Sequence, residues 1–262
     1  MSIERGKYVY ANNLSPTFPS KYHKELTDET TRATTLACLQ EHISLGIAGT
    51  KASTEMAFEV MVHAASTKQR IEASCVELVG SAASNTLRAY LNQAFVAEGL
   101  TALEDEVNAA LAAKLPKQLR KYKREVAIDL HDQPFYGKAT GLLSYACRGA
   151  KSGKHFTPND SQGFSTSSRG QAKAGTTYFY RIASVYLILD GLRFTLAVTF
   201  VHGDRTLAER IATLLERVKA RGVRIGCLYL DRGFAGMEVY DYLAQARIPA
   251  IIACPIRGKH AG

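Results

Sequence analysis

Apolar residues repeat at two different periods along this chain, and the change of period falls near residue 125. Before it they recur every three to four positions, the spacing of one helix face. Thr27, Asp28 and Glu29 offer a helix start, and Leu36, Leu39, Ile43 and Leu45 supply its apolar stripe. A second helix is expected over 53–65 with Met56, Val60 and Met61 inward. Two short helices over 72–78 and 85–95 follow, then an amphipathic one over 103–115 closed by Pro116. Residues 1–26, with Asn12, Asn13, Pro16 and Pro19, read as an irregular arm.

After residue 125 the apolar runs become short and bounded by glycine. Val126-Ala-Ile-Asp-Leu130 reads as a strand. Residues 182–189 and 192–201 are strand-forming runs joined by Asp190-Gly191, a two-residue link that specifies a tight antiparallel hairpin. Residues 206–221 read as a helix with Leu207, Ile211, Leu214, Leu215 and Val218 on one face, ended by Gly222. The run from Ile225 to Leu230 is a buried strand that stops on Asp231-Arg232-Gly233; a helix from about Met237 and a last strand over 249–254 follow. Strand, hairpin of two strands, helix, strand, helix, strand is the order of an α/β RNase H-like mixed sheet. Three strands lie antiparallel, and two parallel strands are reached by helical crossovers. The expected organisation is an arm over 1–26, an all-α domain over 27–115 and a basic linker over 116–125. An α/β domain over 126–262 then carries a polar, basic insertion at 131–178.

Composition narrows the class. The hydrophobic content of 46% permits a sizeable core, and no run approaches the roughly 18 apolar residues of a membrane span. The five cysteines are scattered with no Cys-x-x-Cys pair, which argues against a disulfide framework or a zinc site. A soluble protein of a reducing cytoplasm, with no membrane partner, is expected. The net charge of +9 is unevenly placed: residues 114–181 hold 13 Lys/Arg against 4 Asp/Glu, while residues 1–113 are net acidic. Such a local excess suits a surface that neutralises phosphates, although a solvated basic loop has the same composition. The candidates are Arg120, Lys121, Lys123 and Arg124 in the linker, and Lys138, Lys151 and Lys154 in the insertion. The two short helices around Gly80 resemble a helix-turn-helix whose second member carries Asn85, Arg88 and Asn92 on one face. Any small helical bundle contains a similar pair. Double-stranded DNA is the partner these features suit.

The candidate chemistry rests on Asp129 and Asp231. In the expected sheet the first strand and the strand after the first helix are neighbours, so two residues far apart in sequence converge. A plain alternative for Asp231 is that it caps the following turn. Two close carboxylates repel unless they share a proton or a divalent cation, and hard oxygen ligands suit Mg²⁺ or Mn²⁺. Two such ions would clamp an in-line displacement at phosphorus.

Three segments carry a resemblance: 127–137 (AIDLHDQPFYG), 175–181 (GTTYFYR) and 228–234 (LYLDRGF). They resemble segments of DDE transposases of prokaryotic insertion sequences, over roughly residues 125–256. The resemblance implies that Asp129 is the first catalytic aspartate and Asp231 the second, both holding the metal. It implies metal-dependent cleavage at the ends of a mobile element, then attack of a 3′-hydroxyl on target DNA, by a homo-oligomer when full length. Arg181, in the second segment, is a further candidate for DNA contact, and Arg232 stands beside the turn, on a phosphate or paired with Asp231. Asp132 rivals Asp129 but falls outside the expected strand, and Glu238 and Asp241, on the helix after Asp231, are poor substitutes for a further acid. Ranked lower are His131 and His202 near the site, Tyr136 for base stacking, and Arg257 and Lys259 as basic surface. The family's third acid is a glutamate on a helix beyond the last core strand. The sequence stops at Gly262 before such a helix, so a truncated form, inactive alone, is expected. The competing readings are a nuclease or resolvase that cuts without joining ends, and a DNA-binding remnant without catalysis.

Overall fold

Side-chain caps set the helix starts of the amino-terminal half. In this computed structural model, which describes residues 27–47, 49–135, 146–150, 165–171, 178–189, 192–201 and 205–254, helix α1 (Asp28–His42) begins after Thr27. The Thr27 hydroxyl accepts the Thr30 N–H, and Ser53 does the same for Met56 at the start of α2 (Thr54–Thr67). Helices α3 (Ile71–Glu77) and α4 (Ser84–Ala94) complete a small core around Phe58, Val60, Leu87 and Leu91. Gly49 sits so close to Tyr90 that a Cβ there would lie 2.2 Å from the Tyr90 hydroxyl oxygen.

Helix α5 (Leu100–Ala113) leaves this bundle to lie along the sheet. The sheet consists of β1 (Lys123–Phe135), β2 (Ala146–Ala150), β3 (Ser165–Gln171), β4 (Tyr178–Leu189), β5 (Leu192–Phe200), β6 (Arg224–Leu230) and β7 (Ala250–Ile252). The order is β3-β2-β4-β1-β6-β7, with β5 also paired to β4. β1, β4 and β5 run antiparallel to one another in turn; β6 is parallel to β1, and β7 to β6. Helices α6 (Leu207–Ala220) and α7 (Met237–Gln245) make the two crossovers to β6 and β7. Helix α6 starts on a reciprocal cap between Thr206 and Glu209 and buries Ile211, Leu214, Leu215 and Val218 completely. These pack with Val126, Ile128, Val185, Leu187, Leu228 and Phe234 into the main core. Each such side chain contributes about 1.5–3 kcal/mol on leaving water.

Two expectations change. The first strand does not stop at Leu130: it runs to Phe135, and β2 and β3 lie within the stretch read as an insertion. Polar His131, Asp132 and Gln133 hid the strand, because one face is open and Asp132 has a buried partner on the other. The stretch read as a linker is packed structure. Residues Lys117–Arg120 form a single 3-10 turn that puts Leu119, 1% exposed, into the sheet core. The 1–26 arm, the Asp190-Gly191 link, and Lys138, Lys151 and Lys154 lie outside the described residues. So do Tyr136, His202, Arg257 and Lys259.

The outer edge of β5 is closed by side chains. The Asn108 carboxamide accepts the Val198 N–H at 3.0 Å and donates to the Val198 carbonyl at 2.8 Å, as a neighbouring strand would. One turn earlier on α5, the Glu104 carboxylate accepts from the Thr199 hydroxyl and the Phe200 N–H. Arg217 of α6 pairs with Glu104 at 2.6 Å and with Asp105 at 2.8 Å. Every strong acceptor of this buried carboxylate is therefore engaged. Among the described residues no helix is long and apolar enough to cross a membrane.

Candidate functional site

Strand register decides which side chains meet. In the parallel pair, Val126, Ala127 and Ile128 of β1 stand beside Leu228, Tyr229 and Leu230 of β6. Asp129 and Asp231 are the next residues after the last of these pairs, Ile128 and Leu230. Neighbouring strands lie about 4.8 Å apart. Side chains alternate between faces, so the burial of Ile128 and Leu230 against α6 and α7 turns both aspartates to the opposite face. Asp129, midway along β1, and Asp231, just past the last residue of β6, thus follow the same register step.

Local hydrogen bonds orient both. Asp231 follows the strand in extended conformation and caps the turn Arg232–Phe234: its Oδ1 accepts the Gly233 N–H at 2.8 Å. A Cβ at position 233 would come within 3.0 Å of that same oxygen, which is why glycine fits there. The capping reading of Asp231 is thus realised, and it leaves Oδ2 without a hydrogen bond among the described residues. Asp129 Oδ1 accepts the Leu130 N–H at 2.9 Å, and its side chain is 43% exposed. Its Oδ2 lies 3.9 Å from His131 Nε2.

His131 follows Asp129 by two positions and so shares its face. Nε2 of His131 is hydrogen-bonded at 2.9 Å to the hydroxyl of Ser184, the β4 residue directly opposite Asp129. On β6 the same alternation places Tyr229 two residues before Asp231. Partial desolvation pushes the Tyr229 phenol above its ordinary pKa, and its bond to the Glu125 carboxylate adds to the rise. Reasoning from sequence ranked His131 low and passed over Ser184 and Tyr229. The pattern that could have found His131 and Tyr229 is the two-residue spacing to each aspartate. Ser184 is found only through strand pairing.

The remaining candidates separate. Asp132 and Arg181 are register partners on the core-facing side of β1 and β4, where the guanidinium grips the carboxylate with two bonds. Arg181 is 7% exposed and turned inward, which removes it from the residues that could meet a polyanion. The same pairing, on the face away from Asp129 and Asp231, removes Asp132 as a rival. Arg124 is half-buried, donating to the carbonyls of Gln118 and Leu119. Arg120, Lys121 and Lys123 are exposed, as is Arg232. On α4 the expected face of Asn85, Arg88 and Asn92 points to solvent while Leu87 and Leu91 are buried, but Arg88 is ion-paired with Glu72 of α3. Glu238 and Asp241 sit on α7, beyond the turn.

Two carboxylates, each with an oxygen free of backbone bonds, fit a hard divalent cation that keeps water and phosphate as its other ligands. Among the described residues no group of three or more His, Cys, Asp or Glu side chains is gathered for a metal.

No family model matches the chain, and no curated protein matches it. Among solved structures it is similar to the Drosophila P element transposase strand transfer complex, at 11% identity and a TM-score of 0.37. That match covers 84% of this chain and 42% of the other. A piggyBac transposase synaptic complex with hairpin DNA is similar at 12% identity and a TM-score of 0.39, over 86% and 47% of the two chains. A pre-cleavage Mos1 transpososome follows at 9% identity and a TM-score of 0.26, over 86% and 77%. All three are transposase assemblies. The chain spans less than half the length of the first two.

Proposed function

We propose that this chain acts on DNA phosphodiesters as a DDE-type transposase, with an RNase H-like sheet and Asp129 and Asp231 as its catalytic acids. The observation that supports the reading is the register of β1 and β6, whose last pair, Ile128 with Leu230, immediately precedes the two aspartates. Asp129 and Asp231 would hold Mg²⁺ or Mn²⁺ through the oxygens that the backbone leaves unbonded. When bound there, such an ion supplies positive charge where a phosphodiester develops negative charge during displacement. Gly233 and Leu130 fix the two carboxylates through their N–H groups, so little side-chain reorientation is needed when DNA arrives. Arg232, exposed beside Asp231, is placed to meet a backbone phosphate. The substrate would be double-stranded DNA at element ends, and the outcome joining of a 3′-hydroxyl to target DNA.

Mn²⁺ binding followed by electron paramagnetic resonance tests this without requiring turnover. The wild-type chain is expected to bind Mn²⁺, and Asp129→Asn and Asp231→Asn are each expected to weaken it at least tenfold. Unchanged binding in both variants would overturn the reading. Analysis of DNA products then separates the reactions: joined ends mark a transposase, nicks alone a nuclease. Salt-dependent DNA binding with neither product, surviving both substitutions, marks a non-catalytic DNA-binding protein.

A further inference from the structure

The opposite end of the same two strands carries a second concentration of chemistry. Lys123 opens β1 directly beside Arg224, which opens β6. Lys117, Arg120 and Lys121 lie on the preceding 3-10 turn and its exit, and Gly222, the residue at the end of α6, stands against the Arg120 side chain. All five cations are exposed, and none is ion-paired among the described residues. The next carboxylate along β1, Glu125, makes no ion pair with these cations among the described residues. In the middle stands Tyr122, 58% exposed, with Lys121 Nζ 5.3 Å and Arg124 Cζ 5.7 Å from its ring centre. Arg124 is held to the turn by its bonds to Gln118 and Leu119, so it stiffens the platform rather than reaching outward.

Of the five, Arg224 donates to the Lys121 carbonyl and the other four have no polar side-chain partner among the described residues, so their mutual repulsion is relieved when a polyanion meets them. An exposed aromatic ring flanked by cations is the arrangement that stacks a nucleobase while phosphates are neutralised on either side. A lipid surface would instead call for apolar side chains beside the cations, and Tyr122 is the one large exposed apolar side chain of this stretch. We infer that the amino end of β1 and β6 is a separate nucleic-acid site, gripping backbone phosphates and stacking one unpaired base on Tyr122. The inference rests on the proposed action on DNA and adds a second contact to it. Six residues separate Lys123 from Asp129, so the two sites lie about 20 Å apart at roughly 3.3 Å per residue. That is about six nucleotides along one strand at 3.4 Å each.

Fluorescence anisotropy on the full chain, with a blunt duplex and the same duplex bearing a six-nucleotide single-stranded extension, tests this. The triple variant Arg120→Ala/Lys121→Ala/Lys123→Ala is expected to bind both probes more weakly and to lower the slope of log K against log salt by about 2.7, at about 0.9 per lost phosphate contact. Tyr122→Ala is expected to bind the extended probe about tenfold more weakly while binding the blunt duplex as before. Wild-type affinity and salt slope in the triple variant would overturn the site, even with Mn²⁺ binding at Asp129 and Asp231 intact. Equal loss on both probes in Tyr122→Ala would overturn the stacking role. Binding of phosphatidylserine vesicles but not of either DNA would overturn the nucleic-acid assignment. A wild-type chain that binds both probes with the expected salt slope but binds no Mn²⁺ would overturn the catalytic reading and leave this site standing, which separates the two failures.

Discussion

Asp129 and Asp132 stand three residues apart on one strand and meet opposite fates. Asp129 lies on the open face, fixed by a single backbone N–H, with one oxygen left over and nearly half of its side chain in solvent. Asp132 lies on the core face, where Arg181 engages both of its oxygens and is itself almost fully buried. Nothing in the chemistry of the two side chains differs. An odd spacing along a strand reverses the face, and the face decides whether a carboxylate is a spare ligand or a structural ion. Glu104 belongs with Asp132: it is buried and fully engaged, closing the edge of β5 rather than offering a lone pair. Carboxylate number is therefore a poor guide to a site. Unused oxygens on a shared face are a better one.

That contrast can be broken by substitution, and the largest effect is expected at Asp132. Asp132→Ala takes from the buried Arg181 guanidinium the carboxylate that engages it with two bonds, at a cost of about 3 kcal/mol. Asp132 is itself a quarter exposed, which keeps the figure at the low end of the usual range. Thermal unfolding should shift down by roughly 6–12 °C for a chain of this size. The double variant Asp132→Leu/Arg181→Met should recover most of that loss, and a double variant as unstable as the single one would show that the pair is not the cause. Glu104→Ala comes next: it orphans the Phe200 N–H, leaves Arg217 with only Asp105 and the Val198 carbonyl, and should cost about 2–3 kcal/mol in urea unfolding. A midpoint unchanged from wild type would mean that α5 holds the β5 edge by Asn108 alone.

Asp129→Asn should behave in the opposite way. Its unfolding midpoint should stay within about 1 kcal/mol of wild type, because its side chain makes one local bond and faces solvent. Mn²⁺ affinity should fall at least tenfold. An unstable Asp129→Asn protein with normal metal binding would reverse the comparison. The smallest effect is expected at His131→Ala, which removes the tie to Ser184. Stability should change by no more than about 0.5 kcal/mol, since the ring is half exposed. A severalfold loss of Mn²⁺ affinity at constant stability would identify His131 as a positioning residue for Asp129.

Much of the architecture was legible before any coordinates. Helix starts at Thr27, Ser53 and Thr206 follow from their capping residues, and the stripe of Ile211, Leu214, Leu215 and Val218 fixes which side of α6 is buried. The runs before and after Asp190-Gly191 do pair antiparallel, from Ile182 with Phe200 to Leu189 with Leu192. The carboxyl half of β1 was illegible for a physical reason: periodicity reports burial, and His131 and Gln133 face an open side while Asp132 is buried as half of an ion pair. Leu119 was hidden in the same way, as one of two leucines among six cations within residues 114–124. Local composition says nothing about a single side chain that reaches a core built by distant strands.

Spacing, capping and turn chemistry settled the kinds and order of the elements, because these depend on residues within a few positions of one another. The location of Asp231 at the end of an apolar strand was settled there too. Pairing decided the rest: that Asp129 and Asp231 each follow a member of the Ile128–Leu230 pair, that Asp132 belongs to Arg181, and that Ser184 meets His131. Those partners lie 102, 49 and 53 residues apart. Only the closing of the sheet, with its register and its alternation of faces, brings such distant side chains within reach.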